Sequence, residues 1–127
     1  MRKSFAVAGA LLTLSCTSAQ EASVHTAAAP PGEPIGEAVD CIRASDIRDT
    51  RVRDDWTIDF SLRGGKVFRN TLPNRCTGLA ANDRLQYRPT SSQLCSVDTI
   101  TALTIDNQVA TVCGLGKFQQ VKLPNRG

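Results

Sequence analysis

Three carboxylates set among arginines are the residues best placed, by type and spacing, to do chemistry. The stretch "IRDTRVRDDWTIDFSLRGGKVFRN" holds Asp54, Asp55 and Asp59, with Arg48, Arg51 and Arg53 before them and Arg69 after. Closely spaced carboxylates can exchange protons or hold a cation, and flanking guanidinium groups can bind an anionic substrate. The candidate functional cluster is therefore Asp54, Asp55, Asp59, Arg48 and Arg69. Each member also has a structural use. Asp54 and Asp55 stand where a tight turn takes Asx side chains, and Asp59 has a cross-strand partner available in Arg69. The spacing of a calcium loop is missing.

Other chemistries lack parts. Residues 41–127 contain no histidine, and the single His25 lies ahead of them in a polar stretch. Ser61 and Ser96 have no base near them in sequence, and no Gly-x-Ser-x-Gly occurs. "GGK" and "GLGK" lack Walker spacing and open no helix. No catalytic residue, metal site or cofactor is expected. A polyanion-binding face could be assembled from Arg63, Lys66, Arg69, Arg75, Arg84 and Arg88, with Tyr87 or Phe118 as stacking platforms. Aromatics make up only 5% of the chain, however, and Trp56, Phe60 and Phe68 read as core. With export removing most nucleic-acid partners, none is expected.

Export is written in the first residues. "MRKSFAVAGALLTLSC" begins with Arg2 and Lys3 and continues as an apolar run from Phe5 to Leu14, too short to span a bilayer and shaped as a secretory signal. Cleavage after Ala19 gives a signal peptide of residues 1–19. Lipidation at Cys16 gives one of residues 1–15. Either route removes or acylates one of the five cysteines and leaves Cys41, Cys76, Cys95 and Cys113. Four cysteines in an exported chain read as two disulfides with three connectivities. The preferred pairing is Cys41–Cys113 with Cys76–Cys95, which clips an inner loop and ties the domain's start to its last hairpin. Zinc is disfavoured, because no two of the four have CxxC spacing and no histidine is near.

Residues 20–40 are rich in Ala, Pro and Gly and carry four acids without a cation, so they are expected to form a flexible tether. Residues 41–127 then form one small domain with 13 Lys and Arg against 8 Asp and Glu. A domain of that size is marginal on core burial alone, and disulfides offset the deficit. Its periodicity is β throughout. Trp56, Ile58, Phe60 and Leu62 alternate with Thr57, Asp59, Ser61 and Arg63. A three-residue loop, Arg63-Gly64-Gly65, would pair Phe60 with Phe68, Asp59 with Arg69 and Trp56 with Leu72. One helical turn is expected near residues 79–82 and a short strand near 85–88. The expected fold is all-β: a small antiparallel barrel or sandwich of six to seven short strands, stapled by two disulfides.

A repeat runs through these strands. Residues 50–75 match residues 101–126 at a constant offset of 51, including Gly65-Lys66 with Gly116-Lys117 and Leu72-Pro73-Asn74-Arg75 with Leu123-Pro124-Asn125-Arg126. Two related three-strand units would produce this pattern, and so would convergence of short meanders on similar turns.

"CIRASDIRDTRVRDDWTIDFSLRGGKVFRNTLPNRC", "QLCSVDTIT" and "CGLGKFQ" resemble an uncharacterised family of small exported bacterial proteins, a domain of unknown function. The resemblance covers residues 41–120 and all four cysteines. It implies a periplasmic or envelope location, often through a signal or lipoprotein peptide, and no established activity. In that family the tail after "CGLGKF" varies, which argues against an inherited second LPNR.

The functional expectation is a non-enzymatic, monomeric envelope or periplasmic module that binds an envelope partner or ligand, touching a membrane only through a lipid on Cys16. The alternatives are a periplasmic enzyme using the acidic cluster, and a secreted inhibitor or polyanion-binding domain. A domain with an excess of five cations suits a lysozyme inhibitor poorly, since lysozymes are themselves basic. Mass spectrometry of the exported chain is expected to find either a diacylglyceryl group on Cys16 or a first residue at Gln20. A mature chain that still begins at Met1 overturns export.

Overall fold

The computed structural model describes residue 9, residues 29–89 and residues 91–124. Apart from Gly9, the signal segment lies outside the described residues, and so do residues 20–28 with His25 and residues 125–127. Ten strands follow one another among the described residues. They are β1 (Glu33–Pro34), β2 (Cys41–Arg43), β3 (Ile47–Val52), β4 (Thr57–Leu62), β5 (Val67–Thr71), β6 (Leu85–Tyr87), β7 (Gln93–Cys95), β8 (Thr99–Leu103), β9 (Val109–Gly114) and β10 (Phe118–Lys122). A 3-10 turn at Ala44–Asp46 and one α-helical turn, α1 (Leu79–Asn82), interrupt them.

The fold is all-β, as the alternation implied. β6 is the short strand expected near 85–88, and the strands exceed the expected six to seven because β1, β2 and β7 are two or three residues long, too short for alternation to register. They form three antiparallel sheets: β1-β10-β5-β4-β3, β6-β8-β9 and β2-β7. The arrangement is the sandwich alternative, because these sheets do not close into a ring. Ile58, Phe60 and Phe118 of the large sheet share one core with Ile100 and Ala102 of the three-stranded sheet and with Ile42 and Leu94 of the pair. Phe60 sits at the junction, edge-to-face with Phe118 at 5.5 Å and with Tyr87 at 6.1 Å. Fully burying each large apolar side chain stabilises the fold by roughly 1.5–3 kcal/mol.

The β4–β5 register is the expected one, with Phe60 fully buried and Phe68 partly buried against the core, while Trp56, expected as core, is only partly buried in the turn before β4. Phe60 pairs with Phe68 and Asp59 with Arg69, and the Leu72 N–H donates to the Trp56 carbonyl at 2.8 Å. The loop is Arg63-Gly64-Gly65, closed by Leu62 N–H to the Lys66 carbonyl at 2.7 Å. Both glycines have φ near +90°. A one-residue slip would have turned Phe68 onto the polar face.

Residues 33–40, assigned by composition to a flexible tether, are instead part of the domain. β1 pairs with β10 through Glu33↔Lys122 and Pro34↔Val121. Val39 and Phe118 exchange backbone hydrogen bonds at 2.8 Å each. Composition weighs only the apolar surface a segment can bury. Here the ordering entropy is offset by main-chain bonds to an open sheet edge, where Pro34 is tolerated.

The repeat has a structural counterpart. At the offset of 51, β3, β4 and β5 correspond to β8, β9 and β10. The pair Val52↔Ile58 recurs as Leu103↔Val109. The bond from Arg53 N–H to the Thr57 carbonyl, 2.9 Å, recurs from Thr104 N–H to the Gln108 carbonyl, 2.8 Å. Leu72-Pro73 and Leu123-Pro124 each follow the third strand. The third strands then part company. β5 stays beside β4, whereas β10 leaves β9 and pairs with β5, so the second unit is a hairpin and a crossed strand rather than a meander.

The disulfides are Cys41–Cys95 and Cys76–Cys113, which corrects the pairing Cys41–Cys113 with Cys76–Cys95. Cys41 does not reach the last hairpin because β2 pairs with β7, setting Cys41 directly opposite Cys95. Cys113 on β9 then takes Cys76, which follows the first LPNR. Non-reducing peptide mapping is expected to recover Cys41 linked to Cys95 and Cys76 linked to Cys113, with no free thiol among the four. A Cys41–Cys113 peptide overturns this topology.

Candidate functional site

The structure breaks the acidic cluster into three separate sites. Asp59, on the inner strand β4 between β5 and β3, is 1% exposed. Its Oδ2 accepts from Arg53 Nε at 2.8 Å, and its Oδ1 accepts from Arg69 Nε at 2.8 Å. Arg69 Nη2 also donates to Oδ2, at 3.1 Å. Arg69 Nη1 reaches the Pro30 carbonyl at 2.8 Å. One carboxylate thus joins the turn after β3, the strand β5 and the arm at residues 29–35, and both of its oxygens are occupied.

Asp55 performs a different task. Its Oδ2 accepts from Arg75 of the LPNR segment at 3.1 Å, and its Oδ1 accepts the Ala80 N–H at 2.9 Å. The N-cap of α1 is Gly78, which has no side chain to satisfy the first-turn N–H groups, so Asp55 does it from outside the helix. The Asp55 carbonyl also accepts the Cys76 N–H at 2.8 Å. Asp54 makes the turn contact expected of an Asx residue, with its Oδ1 accepting the Trp56 N–H at 2.8 Å. Its Oδ2 is buried and has no hydrogen-bond partner among the described residues. Arg48 is exposed on the edge strand β3 and joins none of them.

The arrangement gives each carboxylate its own partners. Among the described residues, no group of three or more His, Cys, Asp or Glu is placed to hold a metal ion. Surface hollows of about 310–470 Å³ are lined elsewhere. The largest is bounded by Gly64, Gly65, Lys66, Gln120 and Lys122, and another by Gln86, Arg88, Thr99, Thr101 and Val109. The candidate polyanion face is dispersed as well. Phe118 is fully buried, Arg69 serves Asp59, Arg75 serves Asp55, and Arg84 Nη1 donates to Asn107 Oδ1 at 3.0 Å. Burial of the Tyr87 ring beside Phe60 raises its hydroxyl pKa above the usual 10.0.

Two polar anchors escaped sequence reasoning. Asn70, fully buried, donates through Nδ2 to the Gly116 carbonyl at 2.7 Å and accepts the Gly116 N–H through Oδ1 at 2.8 Å. A Cβ on Gly116 would collide with the Thr71 carbonyl, so "GLGK" is a close backbone approach between β5 and the segment entering β10. Asp98 Oδ2 accepts the Cys95 N–H at 2.8 Å and shapes the turn into β8. Asn70 had no short-range signal, since it meets its partner 46 residues away, whereas Asp98 bonds three residues back within its own turn.

No family model, no curated protein and no solved structure matches this chain. The two disulfides indicate an oxidising, extracytoplasmic environment. No helix among the described residues is long and apolar enough to cross a membrane.

Asp59→Ala is expected to destabilise the fold by about 3 kcal/mol, because it leaves two largely buried guanidinium groups without their counter-ion. Arg48→Ala is expected to change stability by less than about 0.5 kcal/mol. Urea titration of both variants checks the contrast. Equal, small effects would show that Asp59 is not a structural anchor.

Proposed function

We propose that the chain is a non-enzymatic binding module of the periplasm or cell envelope, held at the membrane, where it is lipidated, through Cys16. The observation that supports this reading is the state of the candidate catalytic carboxylates. Both oxygens of Asp59 and both of Asp55 are engaged by arginines or backbone N–H groups, so neither is available to a substrate. A general base must reach the proton it removes, and these two are committed to structural partners. The resemblance to small exported bacterial proteins belongs to the same reading.

The surface is consistent with recognition. Ile105, Val109 and Val112 are 71%, 64% and 58% exposed, and all belong to the β8–β9 hairpin. Aliphatic residues gathered on one exposed element mark a contact surface more often than scattered ones do.

One observation favours the alternative of an active acidic turn: the buried, unpartnered Oδ2 of Asp54. Crosslinking of the full exported chain in its native envelope separates the two. The expected result is capture of a stoichiometric protein partner, retained in Asp54→Asn with an unchanged circular dichroism spectrum. Loss of the partner in that variant with the fold intact transfers function to the acidic turn.

A further inference from the structure

Two lysines meet on the large sheet without a counter-ion. Val67 pairs with Val121, so one step further along the ladder Lys66 stands opposite Lys122. The bond from Leu62 N–H to the Lys66 carbonyl, 2.7 Å, shows that Lys66 still follows the sheet at this point. Directly opposed residues hold their Cβ atoms about 5 Å apart, and like charges at that spacing repel. Arg53, Arg69 and Arg75 each have a carboxylate partner. Neither lysine makes an ion pair or a side-chain hydrogen bond among the described residues. Glu33 flanks Lys122 from the other side, on β1, and does not come within ion-pair distance of it.

Both lysines line the same surface hollow of about 470 Å³, together with Gly64, Gly65 and Gln120. Glu33 borders a different hollow, beside Pro31 and Gly32, so no carboxylate lines the space that the lysines share. The hairpin loop adds donors of its own. The N–H groups of Gly64 and Lys66 donate to no backbone carbonyl among the described residues, whereas the Gly65 N–H is taken by the Leu62 carbonyl at 3.1 Å. Two ammonium groups and two uncommitted amides therefore border one concave space.

We propose that this hollow binds a phosphate monoester between Lys66 and Lys122. Charge selects the class. A phosphate monoester carries close to two negative charges and three strong acceptor oxygens, enough to neutralise both lysines at once. A carboxylate or a phosphodiester carries one charge and leaves the repulsion half relieved. Geometry agrees, because an ammonium group acts as a point charge and needs no planar, bidentate acceptor. Two sources offer this chemistry: a soluble phosphate ester, and the terminal phosphate of a lipid. The hollow has an apolar side for the second, formed by Leu123, Pro124 and Ile35, which is 44% exposed. The site adds a small ligand to the protein partner proposed above and does not depend on it.

NMR titration of the exported chain tests it, with glycerol phosphate and with dihexanoyl phosphatidic acid below its micellar concentration as probes. The expected result is a saturable shift of the Gly64, Lys66 and Lys122 amides. Lys66→Glu and Lys122→Glu, both at exposed positions, should each weaken binding by roughly tenfold or more. Arg48→Glu makes the same change of charge on the edge strand β3 and should alter affinity by less than about twofold. Tighter binding of phosphatidic acid assigns the site to a lipid phosphate, and equal binding of the two probes assigns it to a soluble ester. Dimethyl phosphate, with its single charge, should bind more weakly than either. The proposal is overturned if dimethyl phosphate binds as tightly, if Arg48→Glu costs as much as Lys66→Glu, or if neither probe shifts these amides. None of these results alters the envelope crosslinking outcome, so the site can fail while the binding reading stands.

Discussion

A single buried carboxylate sets the terms for the large sheet. Asp59 lies on an inner strand with 1% of its surface exposed, held between Arg53 and Arg69. Taking three charges largely out of water costs several kcal/mol per ion, and the geometry must recover it with well-formed hydrogen bonds. Four donors at 2.8–3.1 Å do so, three on the carboxylate and one from Arg69 to Pro30. The consequence is positional. Arg53 fixes the turn between β3 and β4, Arg69 fixes the register of β5, and the Pro30 carbonyl brings the arm over the sheet. The most conspicuous acidic residue in the chain is therefore fully employed in holding the fold.

The remaining polar residues divide the work in the same way. Asp55 fastens the first LPNR segment and α1 to the turn, while Asn70 brackets Gly116 and fastens the segment entering β10 to β5. The disulfides complete the frame by different routes. Cys41–Cys95 locks the β2–β7 pair at its end, and Cys76–Cys113 ties the loop after LPNR to β9. LPNR is thus a closing device: Leu72 enters the core, Pro73 ends the strand, and Arg75 reaches Asp55. In the second copy, Leu123 is only half-buried and Pro124 exposed.

Two units with the same strand spacing need not make the same sheet. β5 and β10 follow matching Gly-Lys pairs and precede matching Leu-Pro pairs, yet one folds back on its own hairpin and the other crosses over. The crossing completes a five-stranded sheet around β5 and buries Phe118 against Phe60. It also leaves β9 with β8 as its one neighbouring strand among the described residues.

By itself, the sequence determined whatever local physics controls. Alternation made the chain all-β, the glycine loop and the pairing of Asp59 with Arg69 set the β4–β5 register, and residues 79–82 formed their single turn where expected. Cysteine parity in an exported chain implied two disulfides. The tertiary structure decided which segments meet. It joined Cys41 to Cys95, drew residues 33–40 onto β10, sent β10 away from β9 and separated Asp54, Asp55 and Asp59 into unrelated roles. Period and turn chemistry act over a few residues and can be read in order along the chain. Partner choice depends on which edges and faces remain open after the local elements form, and that is a property of the whole assembly of strands.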